Sequence, residues 1–242
     1  MKAKINFPTK ICLFLFITIS VIACKKNYII GGKVEDVNKY ANMTSYDVLN
    51  SLPQFDTLVQ VIDAAGLKDK INQDNSTFFA ISNGSIFNYL QLRTLLLQST
   101  VNQYAKFTLD SLKYYLQNNI NGTKDSLLMY QVATTLTTSN LTNNGAQYPS
   151  ELIGDSVLVS YETTLDPLLG YTTLVSTPPR VVYFAQLWKH YNLNSKDSTA
   201  AKLPSTTGVR TLVGTSFIKT KNGMINVLRS GSTLFFYGTR IN

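Results

Sequence analysis

Few side chains of this sequence are suited to catalysis. His190 is the only histidine, so a Ser-His-Asp triad would have to use it, and no Gly-x-Ser-x-Gly elbow is present. The three glutamates, Glu35, Glu151 and Glu162, are too far apart in sequence to suggest a carboxylate pair, although aspartates could still form one. No glycine-rich phosphate loop occurs. The sequence favours a protein that is not an enzyme and that uses no metal or cofactor.

The first 23 residues have the pattern of a secretory leader. Three lysines precede an apolar run over residues 11–23, which is short for a transmembrane helix. The run ends in Val21-Ile22-Ala23-Cys24, which resembles the lipobox of bacterial lipoproteins. That resemblance implies cleavage after residue 23 and acylation of Cys24 with palmitate-like chains. The alternative is a membrane-anchor helix with an incidental cysteine. We expect a lipid-anchored protein of the cell envelope, on the outer membrane and exposed at the surface.

Removal of the leader changes both the charge and the cysteine content. Three of 22 basic residues are lost, which leaves 19 against 14 acidic residues, so the formal net charge falls from +8 to +5. A mild positive charge spread along a secreted chain favours acidic surfaces or glycans over nucleic acid. Cys12 leaves with the leader and Cys24 is acylated. The mature protein then has no free thiol for a disulfide, a metal or a nucleophile.

The rest of the chain is predicted to form a tether and one domain. Residues 24–42 are polar and contain glycine, as expected of a flexible tether. Residues 43–242 form a domain whose front half has helical periodicity. Helices are predicted at 45–52, 53–65, 85–97 and 108–120, with a strand over 76–82 and a turn at Asn83-Gly84.

The back half is rich in β-branched and aromatic residues bounded by turn residues. Strands are predicted over residues 125–137, 155–165, 171–177, 180–188, 215–221, 223–228 and 232–238. Asn222-Gly223 predicts a type I′ turn with positive φ at both positions. Residues 193–208 form a polar loop that could act as a lid. Helices followed by strands predict an α+β fold, with helices packed on a mostly antiparallel sandwich or wedge.

Three stretches resemble the fasciclin (FAS1) family, in the long form found in lipoproteins of the Bacteroidetes type. They are residues 55–90, 112–120 and 215–228, and the middle of the chain, near 140–208, is enlarged relative to the family. The resemblance implies a fasciclin-like fold and a role in adhesion. Tyr115 and Asn226 stand where the family usually has histidine. The integrin binding linked to the first of these positions in some animal members is therefore not carried over.

Aromatic residues are concentrated at 181–191. Trp188, His190 and Tyr191 are predicted to be partly exposed and to bind a ligand, since exposed aromatics stack on sugars and anchor protein interfaces. The alternative is that alternate members of this run, such as Val182, Phe184 and Leu187, face the core, and we expect this of half of them.

An Asp-Ser/Thr pattern recurs along the chain. It resembles the O-glycosylation motif of exported Bacteroidetes proteins, whereas Asp and Ser are also common helix caps and turn residues. The candidate hydroxyls are Thr57, Ser111, Ser126, Ser156 and Ser198.

Adhesion or capture by an anchored, non-enzymatic domain is the leading functional interpretation. Its partners would be the membrane, through the anchor, and a glycan, matrix or envelope protein, with the oligomeric state left open. The alternatives are an accessory glycan-binding component of a polysaccharide uptake system and, less favoured, a carboxylate-dependent hydrolase.

Overall fold

The computed structural model describes residues 36, 38–169, 177–193 and 198–240. Contacts divide the chain into residues 1–36 and residues 37–242, and the description below concerns the second unit. The predicted leader, Cys24 and the first part of the tether lie outside the described residues, as do most of the predicted strand 171–177 and part of the loop 193–208. Across the described residues no helix is both long enough and apolar enough to cross a bilayer.

Six α-helices lie in the front half of the described chain. They are α1 (Ser45–Asn50), α2 (Asp56–Ala65), α3 (Lys68–Ile71), α4 (Asn83–Thr100), α5 (Leu109–Gln117) and α6 (Thr123–Ser126). Local signals explain several of their ends. Thr108 and Ser111 form a capping box at the start of α5, and Gly66 ends α2 with a φ of 65°.

Seven strands form one mixed sheet. They are β1 (Ser76–Ala80), β2 (Gln131–Val132), β3 (Ala146–Pro149), β4 (Ser156–Thr163), β5 (Arg180–Leu187), β6 (Gly208–Lys219) and β7 (Gly223–Leu228). Their order is β2-β1-β7-β6-β5-β4-β3. Five neighbouring pairs are antiparallel, and β1–β7 is parallel.

The two edges of this sheet approach each other. Val132 forms an antiparallel bridge with Ser150, and the Glu151 amide donates to the Gln131 carbonyl at 2.8 Å. The sheet is therefore nearly closed, which leaves little free strand edge. The predicted α+β class and mostly antiparallel pairing are confirmed. Of the two predicted arrangements the structure fits the wedge, because the strands curl into one nearly closed sheet and not into the two layers of a sandwich.

The core lies on the inner side of the sheet and is rich in aromatic rings. Phe184 of β5 lies 4.6 Å from Phe79 of β1, 6.3 Å from Tyr130 and 6.0 Å from Phe236, measured between ring centroids. All four side chains are buried. Val182 and Leu187 are also buried, so all three alternate members of the aromatic run are inside. A smaller apolar cluster covers the opposite side of β4 and β5, where Ala200 packs on them.

Three predicted elements are placed wrongly. The segment predicted as a strand over 125–137 is helical over residues 125–130 and contributes only the two-residue β2. The segment 232–238 forms a 3₁₀ turn, Leu234–Phe236, in which Phe235 has a φ of 60° and its amide donates to the buried Tyr130 hydroxyl. Asn83-Gly84 begins α4 instead of forming a turn, because Ser82 caps the helix.

Candidate functional site

A polar cleft of about 480 Å³ opens where β5 ends. Its lining includes all three residues that the sequence singles out for ligand binding, Trp188, His190 and Tyr191, together with the flanking Lys189. Leu187, next to Trp188, and residues distant in sequence complete the wall: Gln147, Gly154, Asp155, Ser156 and Arg240. Trp188 and Tyr191 are half-buried, and His190 is exposed.

Backbone hydrogen bonds fix the segment that carries these side chains. The amides of Trp188 and Lys189 both donate to the Thr207 carbonyl, at 3.0 and 3.2 Å. This carbonyl precedes β6, so the chain that leaves β5 stays beside the next strand. The indole then lies at the rim of the sheet rather than in its core.

Side-chain contacts hold Tyr191 from two sides. Its hydroxyl donates to the Thr199 carbonyl at 3.0 Å, and its own carbonyl accepts from the Gln147 amide of β3. Because both ends of the residue are held, the ring is fixed in place before any ligand arrives. Such preorganisation reduces the ordering cost of binding.

The cleft carries basic side chains that form no ion pair with a carboxylate of the described residues. Lys189, His190 and Arg240 make no ion pair or side-chain hydrogen bond with the described residues. The one acidic residue of the lining is Asp155, whose two carboxylate oxygens accept from Gln186 and from Ser150, both at 2.9 Å. Lys189 and Arg240 are therefore available to an anionic ligand, and they outnumber Asp155, whose two oxygens are hydrogen-bonded to neutral groups of the wall.

Two polar atoms in or beside the cleft wall lack partners within the described chain. The indole Nε1 of Trp188 is buried without an acceptor, and the side-chain oxygen of the neighbouring Gln186 is buried without a donor. An unsatisfied buried polar group costs about 1–3 kcal/mol. A small movement of the indole towards a ligand oxygen would remove part of that cost.

The two-carboxylate arrangement of a hydrolase is not found in the cleft as described. Glu151 pairs with Lys70 at 2.5 Å, and Glu162 pairs with Arg210 at 2.5 Å. The described part of the chain also contains no group of three His, Cys, Asp or Glu residues that could hold a metal ion. The non-enzymatic interpretation stays a prediction, as does the expectation of no metal or cofactor.

The two family positions that lack histidine lie away from the cleft lining. Tyr115 of α5 packs edge-on against Phe107, with 5.3 Å between centroids. Asn226 of β7 is fully buried, and its side-chain oxygen accepts from the Phe217 amide at 2.8 Å. Both residues therefore make structural contacts.

The five candidate O-glycosylation hydroxyls are all half-buried. Ser111 belongs to the capping box of α5, and the Ser126 hydroxyl donates to the Gly122 carbonyl at 2.8 Å. Thr57 lies in the first turn of α2, and Ser156 is the first residue of β4. The structure does not test modification at these sites or at Ser198.

The sequence matches no protein-family model and no curated protein. Among solved structures it is similar to a FAS1 domain pair from the insect cell adhesion molecule fasciclin I, at 15% identity and a TM-score of 0.38. The match covers 72% of this chain and 43% of that chain, so it spans less than half of the insect protein's length. That protein is a member of the family that the sequence resembles. The likeness is too slight to carry a conclusion, and membership stays a prediction.

Proposed function

We propose that this protein is a non-enzymatic, lipid-anchored ligand-binding protein of a bacterial cell surface, and that the cleft binds a glycan bearing acidic groups. One observation carries the ligand class. Trp188 and Tyr191 line the same cleft as Lys189, His190 and Arg240, whose charged or ionisable groups lack carboxylate partners in the described chain.

The aromatic and cationic groups have separate roles in this proposal. Rings of Trp and Tyr offer a large apolar face at low entropic cost and can stack on the C–H face of a pyranose. Lys and Arg bind carboxylate or sulfate by charge-assisted hydrogen bonds, which are stronger than neutral ones. A neutral sugar would use the first set alone, so acidic glycans should bind more tightly.

Adhesion and nutrient capture both fit a glycan-binding cleft. In adhesion the glycan belongs to a matrix or a neighbouring cell, and in an uptake system it is delivered to a transporter. Lipidation at Cys24 would hold the domain at the membrane in either case. Multiple acyl chains anchor stably, because each buried CH₂ contributes about 0.8 kcal/mol.

Calorimetry with the full chain tests the ligand class. Polygalacturonate and a neutral dextran of similar length serve as probes. We expect saturable binding of the acidic polymer, weakened by salt. Trp188→Ala should weaken it about tenfold or more, as removal of an anchoring aromatic does at other interfaces. Tyr114→Ala, which removes an exposed ring outside the cleft lining, is the matched control and should leave affinity unchanged.

A second pair of variants separates stacking from charge. The double variant Lys189→Gln/Arg240→Gln should lose the preference for the acidic polymer while keeping any weak binding of dextran. His190→Ala should change affinity by only a few fold, because Lys189 and Arg240 remain in the cleft. Equal binding of both polymers, or loss of binding in Tyr114→Ala alone, would contradict the proposal.

A further inference from the structure

Four asparagines of this chain are each followed by glycine, and their surroundings differ. They are Asn83, Asn121, Asn144 and Asn222. In such a pair the backbone nitrogen of the glycine can attack the side-chain amide carbon of the asparagine, because glycine has no Cβ to obstruct the approach. The attack requires an asparagine whose side chain and backbone are both free to rotate.

Hydrogen bonds hold two of the four side chains. The Asn83 side-chain oxygen accepts from the Thr57 amide and its nitrogen donates to the Pro53 carbonyl, both at 2.9 Å. Asn222 is buried, and its side-chain oxygen accepts from the Ser45 amide at 2.7 Å. These bonds must break before the amide carbon of either residue can turn towards the following glycine.

Asn144 has an exposed side chain, but its backbone is held. Its carbonyl accepts from the Ala200 amide at 2.8 Å. Gly145 is packed so closely that an added Cβ would lie 2.8 Å from the Ala200 Cβ and 3.0 Å from Leu158. Rotation of the peptide between residues 144 and 145, which ring closure requires, would disrupt this packing.

Asn121 is restricted in neither way. Its side chain is exposed and forms no hydrogen bond with the described residues. Its φ is 54°, a conformation that few residues other than glycine adopt, and nothing lies within 4 Å of a Cβ added at Gly122. The Gly122 amide donates to the Asn119 carbonyl at 3.1 Å, but the Gly145 amide makes a similar bond at 3.3 Å, so this bond does not distinguish the two pairs.

We propose that Asn121 is a deamidation site of the folded protein. The Gly122 nitrogen forms a bond to Cγ of Asn121, its proton passes to the leaving amide nitrogen, the Cγ–Nδ2 bond breaks and ammonia leaves. Water then opens the cyclic imide. Attack at Cγ gives aspartate, and attack at the backbone carbonyl carbon gives isoaspartate. The ring nitrogen regains a proton from the water, and nothing is oxidised or reduced.

Conversion would change the connection between α5 and α6. Isoaspartate adds one carbon atom to the main chain, and either product adds a negative charge. Asn119 spans this connection, since its side-chain nitrogen donates to the Asp125 carboxylate at 2.8 Å and its oxygen accepts from the Lys124 amide at 3.0 Å. A longer connection would strain both bonds. Residue 121 is not part of the cleft lining, so this inference does not depend on the proposed ligand.

Peptide mapping of the full chain tests the proposal. The protein is incubated in mildly alkaline buffer made with heavy-oxygen water, either folded or unfolded in urea. Trypsin places the four Asn-Gly pairs on four separate peptides, because a lysine or arginine lies between each pair and the next. Mass spectrometry then gives a rate of conversion for each asparagine, and the urea sample gives the rate of each sequence without its fold.

In the folded chain we expect Asn121 to convert about tenfold or more faster than Asn83 or Asn222, because their hydrogen bonds must first be broken. Asn144 should convert at an intermediate rate. In urea the four rates should agree within a few fold. Asn121→Gln should remove most of the ammonia released by the folded chain, because glutamine would have to close a larger ring. Asn144→Gln is the matched control and should leave most of the release.

Two outcomes would overturn the proposal. One is that Asn83 or Asn222 converts as fast as Asn121 in the folded chain. The other is that unfolding in urea accelerates conversion at Asn121 as much as at Asn222, which would mean that the fold protects both. A melting temperature for each glutamine variant verifies that the variant is folded.

Discussion

Gly223 approaches Ser76 so closely that a Cβ atom at position 223 would lie 2.1 Å from the Ser76 carbonyl oxygen. The two residues are register partners in the parallel pair of β1 and β7. Gly223 does not have a positive φ. The glycine is therefore required by the space between two strands and not by a left-handed backbone.

Gly223→Ala should destabilise the domain by about 1–3 kcal/mol or more, because the added methyl must push the two strands apart. Gly66→Ala provides the contrast. Gly66 has a φ of 65° with nothing within 4 Å of an added Cβ, so only the conformational cost of about 1–2 kcal/mol applies. Urea unfolding measures both. A smaller loss at 223 than at 66 would mean that backbone conformation, not space, determines the cost.

Asn226→Ala should cost about 2–4 kcal/mol. The substitution removes the acceptor of the Phe217 amide at a fully buried position and also leaves a cavity. Phe217 has a φ of 61° at an irregularity in β6, and the bond to Asn226 helps to hold this sparsely populated backbone conformation, so its loss adds to the cost. Asn118→Ala, at an exposed asparagine, should cost under about 1 kcal/mol in the same denaturation experiment.

Stability should fall as pH rises from 10 to 12, in part through Tyr46. Its hydroxyl donates to Asp63 at 2.7 Å, and this bond together with burial raises its pKa from 10.0 to about 12. Above pH 10 the unfolded chain releases this proton while the folded chain keeps it, so stability is lost with increasing pH.

Tyr46→Phe should flatten that pH dependence, as measured by melting temperature across the range. Some slope will remain, because burial also raises the pKa of Tyr89 and of Tyr130. Tyr114→Phe, at an exposed ring, should leave the curve unchanged. An unaltered curve in Tyr46→Phe would exclude the Asp63 bond as a source of the effect.

Cys24→Ser should abolish acylation, because only the cysteine thiol can form the thioether of a bacterial lipoprotein anchor. Labelled palmitate supplied to expressing cells gives the measurement. Cys12→Ser, within the predicted leader, should still take up label. Wild-type labelling of the Cys24→Ser chain would refute the lipobox interpretation.

The connection between β6 and β7 shows what a local sequence pattern can predict. The Asn222-Gly223 pair predicts a tight connection between two strands, and β6 and β7 are joined there. The predicted turn geometry is wrong, since neither residue has a positive φ. Asn222 is instead buried, where its side-chain oxygen accepts from the Ser45 amide at 2.7 Å. That contact joins residues 177 positions apart, and no local pattern encodes it.

Only the part of the candidate site formed by residues 188–191 could be predicted from the sequence. The aromatic run at 181–191 identified Trp188, His190 and Tyr191, and these residues do line one cleft. The sequence did not indicate Asp155 or Arg240 as site residues. Each is a polar residue with no distinctive local pattern, and only the fold brings it to the end of β5. Strand β3 was also missed, since its four residues, Ala146–Pro149, lack the β-branched pattern of the longer strands.

The parallel pairing of β1 with β7 has a consequence for biogenesis. Residues 76–80 contact residues 223–228, so β1 lacks one of its two neighbours until nearly the whole chain has been synthesised. Contacts this distant in sequence slow folding, because a long loop must close before they form. A nascent chain of this topology would stay unfolded for longer than one built from local contacts. The export that the predicted leader implies would require an unfolded chain, and slow completion of the sheet would keep the chain unfolded for longer.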